Sequence, residues 1–395
     1  MTQRGADIAA VVTLHDEGES AVPSLVSAWR AAKHAESAGI SVLLTIVIDR
    51  PDSHTVEVAN RWSNRGARLI PVDAGDLGAA RNAAVKALDC GWIAFLDGDD
   101  LWGESWLTKA YRAATSVGDA TFDVWHPQVN VMFGASQSLL HHIDSTDPAF
   151  SLARLRLHNS WTALSFVSRT YLEALPYPRN RLEAGFGYED WCWNIEVLRR
   201  GGRHRVVDDV VHAIHRAQAG NRDAGSNLLT RSLTALRSPY PNPTSTPAPL
   251  PGITTSVSEP TPTNADLPPQ YRELPVALSA DIHDDIRRLA ALTPALATMV
   301  AGPGQPETLP QNFNRHVTPA QRALEELDLL LQRDPAMNTG AALRAATLVH
   351  DLPTDDQDRV IAEALRDPGG AIRERGSSLL IDAALRTYPQ LDELE

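Results

Sequence analysis

Trp92-Ile93-Ala94-Phe95-Leu96-Asp97-Gly98-Asp99-Asp100 is an unbroken apolar run that ends in three carboxylates within four residues. A continuous apolar run of this length reads as a strand buried on both faces. Three carboxylates crowded at its end repel one another and need a cation to be tolerated together. Hard cations such as Mg²⁺ or Mn²⁺ prefer carboxylate oxygens, and Mg²⁺ is typically held by one or two carboxylates plus substrate phosphates. The plainer reading of the same residues is an acidic turn, or a helix N-cap with Asp99 or Asp100 facing the first turn. An EF-hand loop is excluded, because Leu101 and Trp102 occupy the next ligand region and no Glu closes it.

Working outward, Ile8–Leu14, Val42–Ile48 and Ala67–Val72 are further apolar strands, and helical spacing covers 24–38, 55–63 and 77–88. Strands alternating with helices predict an α/β chain: a mostly parallel sheet with helices on both faces, binding ligands beyond the carboxyl ends of its strands. Polar groups stand at those ends. They are Thr13-Leu14-His15-Asp16-Glu17, Asp49-Arg50-Pro51-Asp52, and Gly75-Asp76-Leu77-Gly78-Ala79-Ala80-Arg81-Asn82. Glycines such as Gly78 let backbone approach a ligand closely, and Arg81 at a helix start is placed to meet phosphate or ribose. Singly, each has a plain reading, Asp49 as a turn residue and Arg81 as a surface cation. Their occurrence on four successive strand ends favours a site.

Two later segments complete the pattern. Gly185-Phe186-Gly187-Tyr188-Glu189-Asp190-Trp191-Cys192-Trp193 opens a helix, and the strand Arg205–Ile214 carries His212 and leads to His215-Arg216. Acids at a helix N-terminus suit its dipole without further purpose. Alternation along a strand puts His212 and His215 on opposite faces, so only one can reach a given ligand.

TLHDE (13–17), DRPD (49–52), GDLGAARN (75–82), FLDGDD (95–100) and GYEDW (187–191), in this order, resemble the family 2 glycosyltransferases, which have the GT-A fold. The resemblance covers about residues 8–222. It implies a metal-dependent, inverting glycosyltransferase that moves a sugar from a nucleotide-diphosphate donor to an acceptor hydroxyl. It assigns Asp99 and Asp97 to Mn²⁺ or Mg²⁺, with His212 as third ligand and His215 as its alternative. Asp49, Thr13 and Glu17 would face the base, Gly78, Arg81 and Asp97 the ribose–phosphate region, and Arg216 the diphosphate. Asp190 would take the acceptor proton, with Glu189 as orienter or second candidate, and Trp191 would stack on the acceptor or sit in the core. A UDP-sugar is the implied donor, although Thr13 and His15 replace the family's usual proline and aromatic and DRPD lacks its paired acid and glycine. The rival readings are a nucleotidyltransferase on a similar fold, whose Gly-rich signature TLHDEGES lacks, and a catalytically silent sugar-nucleotide scaffold.

The rest of the chain bounds these readings. Its 395 residues carry 36 Lys and Arg against 49 Asp and Glu, a net charge of −13, which disfavours a nucleic-acid backbone as partner. Two cysteines, Cys90 and Cys192, fit a reducing compartment, and no apolar run approaches the ~20 residues of a membrane helix. A cytoplasmic protein is expected. Ten of the 27 prolines lie between Pro239 and Pro269, and no charge occurs from Ser238 to Ser258. The expected organisation is a catalytic domain over 1–238, a Pro/Ser/Thr-rich linker over 239–269, and an all-helical domain over 270–395 for homo-oligomerisation or acceptor recruitment. The acceptor is left open among a glycan, a lipid-linked glycan, a protein and a modified nucleobase.

Overall fold

Strand β1 (Ala6–Leu14) points Ile8, Ala10, Val12 and Leu14 to one side and Ala9 and Val11 to the other, and both sides are buried. That is the physical meaning of its unbroken apolar sequence: a strand covered on two faces has no polar positions to alternate with. The computed structural model of the protein describes residues 5–117, 122–135, 137–147, 150, 159–180, 188–216, 278–302, 305–309 and 311–313.

β1 lies in the middle of a parallel set. It pairs with β2 (Val42–Asp49) on one side and β4 (Cys90–Asp97) on the other, and β2 pairs with β3 (Arg68–Val72). Helices α1 (Ala21–Ser37), α2 (Ser53–Ser63) and α4 (Trp106–Ser116) cover one face through Leu25, Val58, Trp62, Trp106 and Leu107. Helix α3 (Leu77–Ala87), the short α5 (Arg169–Ala174) and α6 (Glu189–Arg199) cover the other through Ala84, Val85, Leu172, Trp193 and Val197. Asp52 and Asp76 cap α2 and α3, accepting from the Thr55 and Ala79 amides at 2.7 Å each.

The sheet then turns antiparallel. β8 (Phe166–Ser168) joins β4 to β6 (Asp123–Gly134), which runs against β7 (Ser138–His141) and parallel to the long β9 (Arg203–Arg216). Arg203 sets the register of β6 against β9 with a two-pronged ion pair to Asp123, at 2.7 and 2.8 Å. The short β5 (Leu101–Trp102) pairs with β9, placing the turn after β4 beside the end of β9. The fold is thus the expected α/β sheet with helices on both faces, mixed rather than uniformly parallel.

The C-terminal expectation needs correction. Ser279–Val300 is two helices, α7 (Ala280–Ala290) and α8 (Pro294–Ala301), broken where Thr293 stands extended before Pro294. Ile282, Ile286, Leu289, Leu296 and Met299 share a core with Val129, Val131 and Phe133 of β6 and Val211 and Ala213 of β9. β10 (Gln311–Phe313) adds a strand to β7. Helices α7 and α8 and strand β10 therefore belong to the same folded body as the sheet, not to a separate helical domain starting at 270. The linker expected at 239–269, and the part of the expected helical domain beyond residue 313, lie outside the described residues.

Candidate active site

The carboxyl ends of β1, β2 and β4 meet the first turn of α6 around a single buried cation. Arg81, in the second turn of α3, is fully buried. Its Nη2 donates to Asp97 Oδ1 and its Nη1 to Glu189 Oε1, both at 2.7 Å. A guanidinium suits this role because its planar fork serves two carboxylates at once and stays charged when desolvated. Facing Asp97 and Glu189, it is held even more firmly protonated than a free arginine, despite its burial. Thr13 Oγ1 adds a third contact, donating to Asp97 Oδ1 at 3.0 Å across the β1–β4 register.

These contacts correct three expectations. Arg81 does not present its guanidinium to solvent or phosphate, since both terminal nitrogens are taken by carboxylates. Thr13 is buried and turned to Asp97 rather than outward. Gly78 leaves no room for a ligand, because a Cβ there would lie 2.6 Å from the Pro178 carbonyl and 3.0 Å from Glu189 Cγ. Its missing side chain admits the start of α6 instead.

Asp49 is similarly internal. Its Oδ1 accepts from the Ala74 and Gly75 amides at 2.7 and 3.0 Å, and its Oδ2 from the Asp76 amide at 3.2 Å. It shapes the β3–α3 loop, whose Asp76 then accepts from the Asn180 amide at 2.8 Å. Glu17 stays partly exposed beside the acidic turn. A Cβ on Gly98 would lie 3.1 Å from Glu17 Cδ, so glycine is needed for that approach. Burial raises the Glu17 pKa, and Asp99 adds to the rise.

The acidic turn faces the end of β9. The His215 amide donates to Asp100 Oδ1 at 2.8 Å, and His215 Nδ1 lies 3.3 Å from Asp99 Oδ2. Asp100 is buried, and desolvation, then Asp99 and Asp97, push its pKa well above the carboxylate range. Asp99 is 45% exposed on its side chain and carries the open edge of the cluster, with exposed Arg216 at the strand end beside it. Asp100 is thus a strand-end anchor and not a helix N-cap.

His212 does not join them. It is fully buried, edge-on to Trp106 at 4.8 Å between centroids, on the opposite face of β9 from His215. The expectation of His212 as a third metal ligand is corrected: strand alternation brings His215 to the acids instead. Among the described residues no group of three or more His, Cys, Asp or Glu side chains converges as a ready metal cage.

At the other end of Arg81, α6 begins at Tyr188, whose backbone is left-handed (φ 54°). As successive residues of the helix, Glu189 and Asp190 point in different directions. Glu189 is buried against Arg81, and its Oε2 accepts from Asn180 Nδ2 at 2.9 Å. Asp190 stays partly exposed and accepts from Asn159 Nδ2 at 3.1 Å. Burial and the neighbouring Glu189 push the Asp190 pKa up to about 7, although Arg81 opposes the rise. A carboxylate poised there can exchange a proton near neutral pH.

Trp191 is 2% exposed and lies in a core with Ile143, Trp161 and Ile195, so it cannot stack on an acceptor. Trp193 is buried too, donating to the Leu175 carbonyl at 2.8 Å. Asn159, Asn180 and Asn194 carry the second layer of contacts around the acids, and no motif marks them in the sequence. Of the GYEDW motif, Gly187 lies outside the described residues, as does everything from 217 to 277.

The model of glycosyl transferase family 2 matches residues 13–174, which hold the ends of β1, β2 and β4. No curated protein matches the chain. Among solved structures, S. aureus TarS 1–349 in complex with UDP is 13% identical, with a TM-score of 0.45 over 97% of this chain and 91% of that one. The same protein in complex with UDP-GlcNAc is 11% identical, with a TM-score of 0.45 over 97% and 92%. Over residues 13–174, then, this chain is similar to glycosyl transferase family 2.

Proposed function

We propose that the protein transfers a sugar from a nucleotide-diphosphate donor to an acceptor hydroxyl with inversion at the anomeric carbon. The observation that carries this reading is the division of labour across Arg81. One end is an open acidic turn, Asp97 and Asp99, suited to a divalent cation that would in turn hold an anionic donor. The other is a single carboxylate, Asp190, whose pKa lies near neutrality. Glu189, paired with the Arg81 charge and hydrogen-bonded by Asn180, orients rather than reacts.

A divalent cation fits the acidic turn. Asp99 Oδ2 lies 3.3 Å from His215 Nδ1, and this carboxylate at the open edge of the turn would hold the cation together with oxygens of the donor's diphosphate. When bound there, Mn²⁺ or Mg²⁺ would offset the charge of the departing diphosphate. Arg216 stands beside the turn as a further cation for the diphosphate.

The chain's own residues perform the rest. Asp190 accepts the proton of the acceptor hydroxyl as its oxygen forms a bond to the anomeric carbon. The bond from that carbon to the diphosphate oxygen breaks on the opposite face, and its electron pair leaves with the nucleoside diphosphate. Positioning contributes as much as basicity here. A UDP-sugar in a cytoplasmic setting is the first donor to test, and the acceptor's chemical class is open.

Calorimetry of nucleotide sugars with and without Mn²⁺ tests the donor half. The parent should bind one of them tightly only when the cation is present, and Asp99→Ala should lose that dependence and at least about tenfold in affinity. Equal, metal-independent binding by both proteins would refute the assignment. Binding without turnover would favour the silent scaffold.

A further inference from the structure

We infer that Asn159 is a positioning residue for Asp190, holding one oxygen of the carboxylate so that the other meets the acceptor. Asn159 Nδ2 donates to Asp190 Oδ2 at 3.1 Å. Its Oδ1 accepts from Asn194 Nδ2 at 3.2 Å and from the Trp161 backbone amide at 3.5 Å. A backbone N–H can only donate, so the atom facing it is the oxygen, and the amide nitrogen is left to face Asp190. Asp190 and Asn194 stand four residues apart on α6 and so share a face. Asn159 spans them like a clip.

The clip has a rigid frame. His204 Nε2 donates to the Asn194 carbonyl at 3.0 Å, and its Nδ1 accepts from His126 Nε2 at 2.9 Å. Because Nε2 donates to a carbonyl, Nδ1 must carry the lone pair, so the direction of both bonds is set. The His204 ring stacks on Trp161 at 3.8 Å, and Trp161 Nε1 donates to the Ile143 carbonyl at 2.8 Å. Helix α6 and the loop bearing Asn159 are thereby fixed to the same buried pair of strands, β6 and β9.

The inference rests on Asp190 as the proton acceptor. Ionisable groups face Asp190 from each neighbouring element: Glu189 and Cys192 on its own helix, Arg81 from α3, Asp97 at the end of β4, and Tyr177 from the segment after α5. The neutral N–H groups aimed at it are the Trp191 backbone amide and Asn159 Nδ2. An N–H directed at a carboxylate favours its charged form. By that rule Asn159 Nδ2, 3.1 Å from Asp190 Oδ2, should act with the Trp191 amide against the rise that burial and Glu189 cause.

The test is a ¹³C titration of the Asp190 carboxyl carbon in the full chain, assigned by its absence from Asp190→Asn. Asn159→Ala should raise the midpoint by at least about half a pH unit, and isosteric Asn159→Asp should raise it further by facing one carboxylate with another. Should the alanine variant fail to fold, the isosteric one carries the test. Parental midpoints in the folded variants would overturn the inference. Turnover by Asp190→Asn tests the underlying reading separately. Parental turnover there would refute the base while leaving the titration result standing.

Discussion

Arg81 places a permanent charge where solvent cannot reach it, so its two partners must be matched geometrically as well as electrically. A lysine ammonium is a point donor and cannot reproduce the fork that spans Asp97 and Glu189 at 2.7 Å each. Arg81→Lys should therefore destabilise the protein by about 3–5 kcal/mol, the range for breaking one arm of a buried ion pair. Urea unfolding would measure it as a fall in midpoint at unchanged slope; an unchanged midpoint would show the pair to be incidental. This residue also shows where sequence reasoning stopped. Arg81 looks the same in a sequence whether it meets a phosphate or two buried carboxylates, because its partners lie 16 and 108 residues away. The positions of Asp99 at a strand end and Asp190 at a helix start could be read from the sequence, whereas the role proposed for Asp190 came from the family resemblance.

At the level of elements, the helices α7 and α8 decide where the catalytic body ends. Ile282, Ile286, Leu289, Leu296 and Met299 are each at most 4% exposed, and burying such a side chain contributes roughly 1.5–3 kcal/mol. Together that is about the whole stability of an ordinary domain. Truncation at residue 238 should therefore give an insoluble or unfolded product, while truncation at 313 should keep a cooperative thermal transition. A soluble, donor-binding 1–238 fragment would refute the shared core. The Pro-rich stretch suggested a domain boundary because composition reports what a segment cannot bury. It says nothing of whether the chain beyond it returns to the same core. Strands β6 to β8 were missed for a related reason. Asp123, His126 and Asn130 interrupt the apolar pattern of β6, yet all three are buried, paired with Arg203, His204, His142 and Thr162 across the sheet.

For the whole molecule, the parallel half of the sheet brings the donor-side acids to one edge, and the antiparallel half carries β9 and its His215 back to them. Arg81 ties the acidic turn to α6, so the turn proposed to hold the cation is joined through one side chain to the helix that carries the proposed proton acceptor. Tyr188, in a left-handed conformation that non-glycine residues rarely adopt, precedes that helix, whose successive positions point Glu189 and Asp190 about 100° apart. Among the described residues no helix is long and apolar enough to cross a membrane. The parallel strands, their order and the acidic turn could be read from apolar runs and the residues that end them. The joining of donor side to acceptor side could not, since it runs through side chains with no pattern of their own. The most direct test is nucleoside diphosphate release from the bound nucleotide sugar with Mn²⁺, measured across pH for the parent and Asp190→Asn. Asp190 must be deprotonated to act, so the parental rate should fall as pH drops below about 7, and the variant should turn over about 10²–10⁴-fold more slowly at unchanged donor affinity. A variant as fast as the parent, or a parental rate flat through pH 7, would contradict the account.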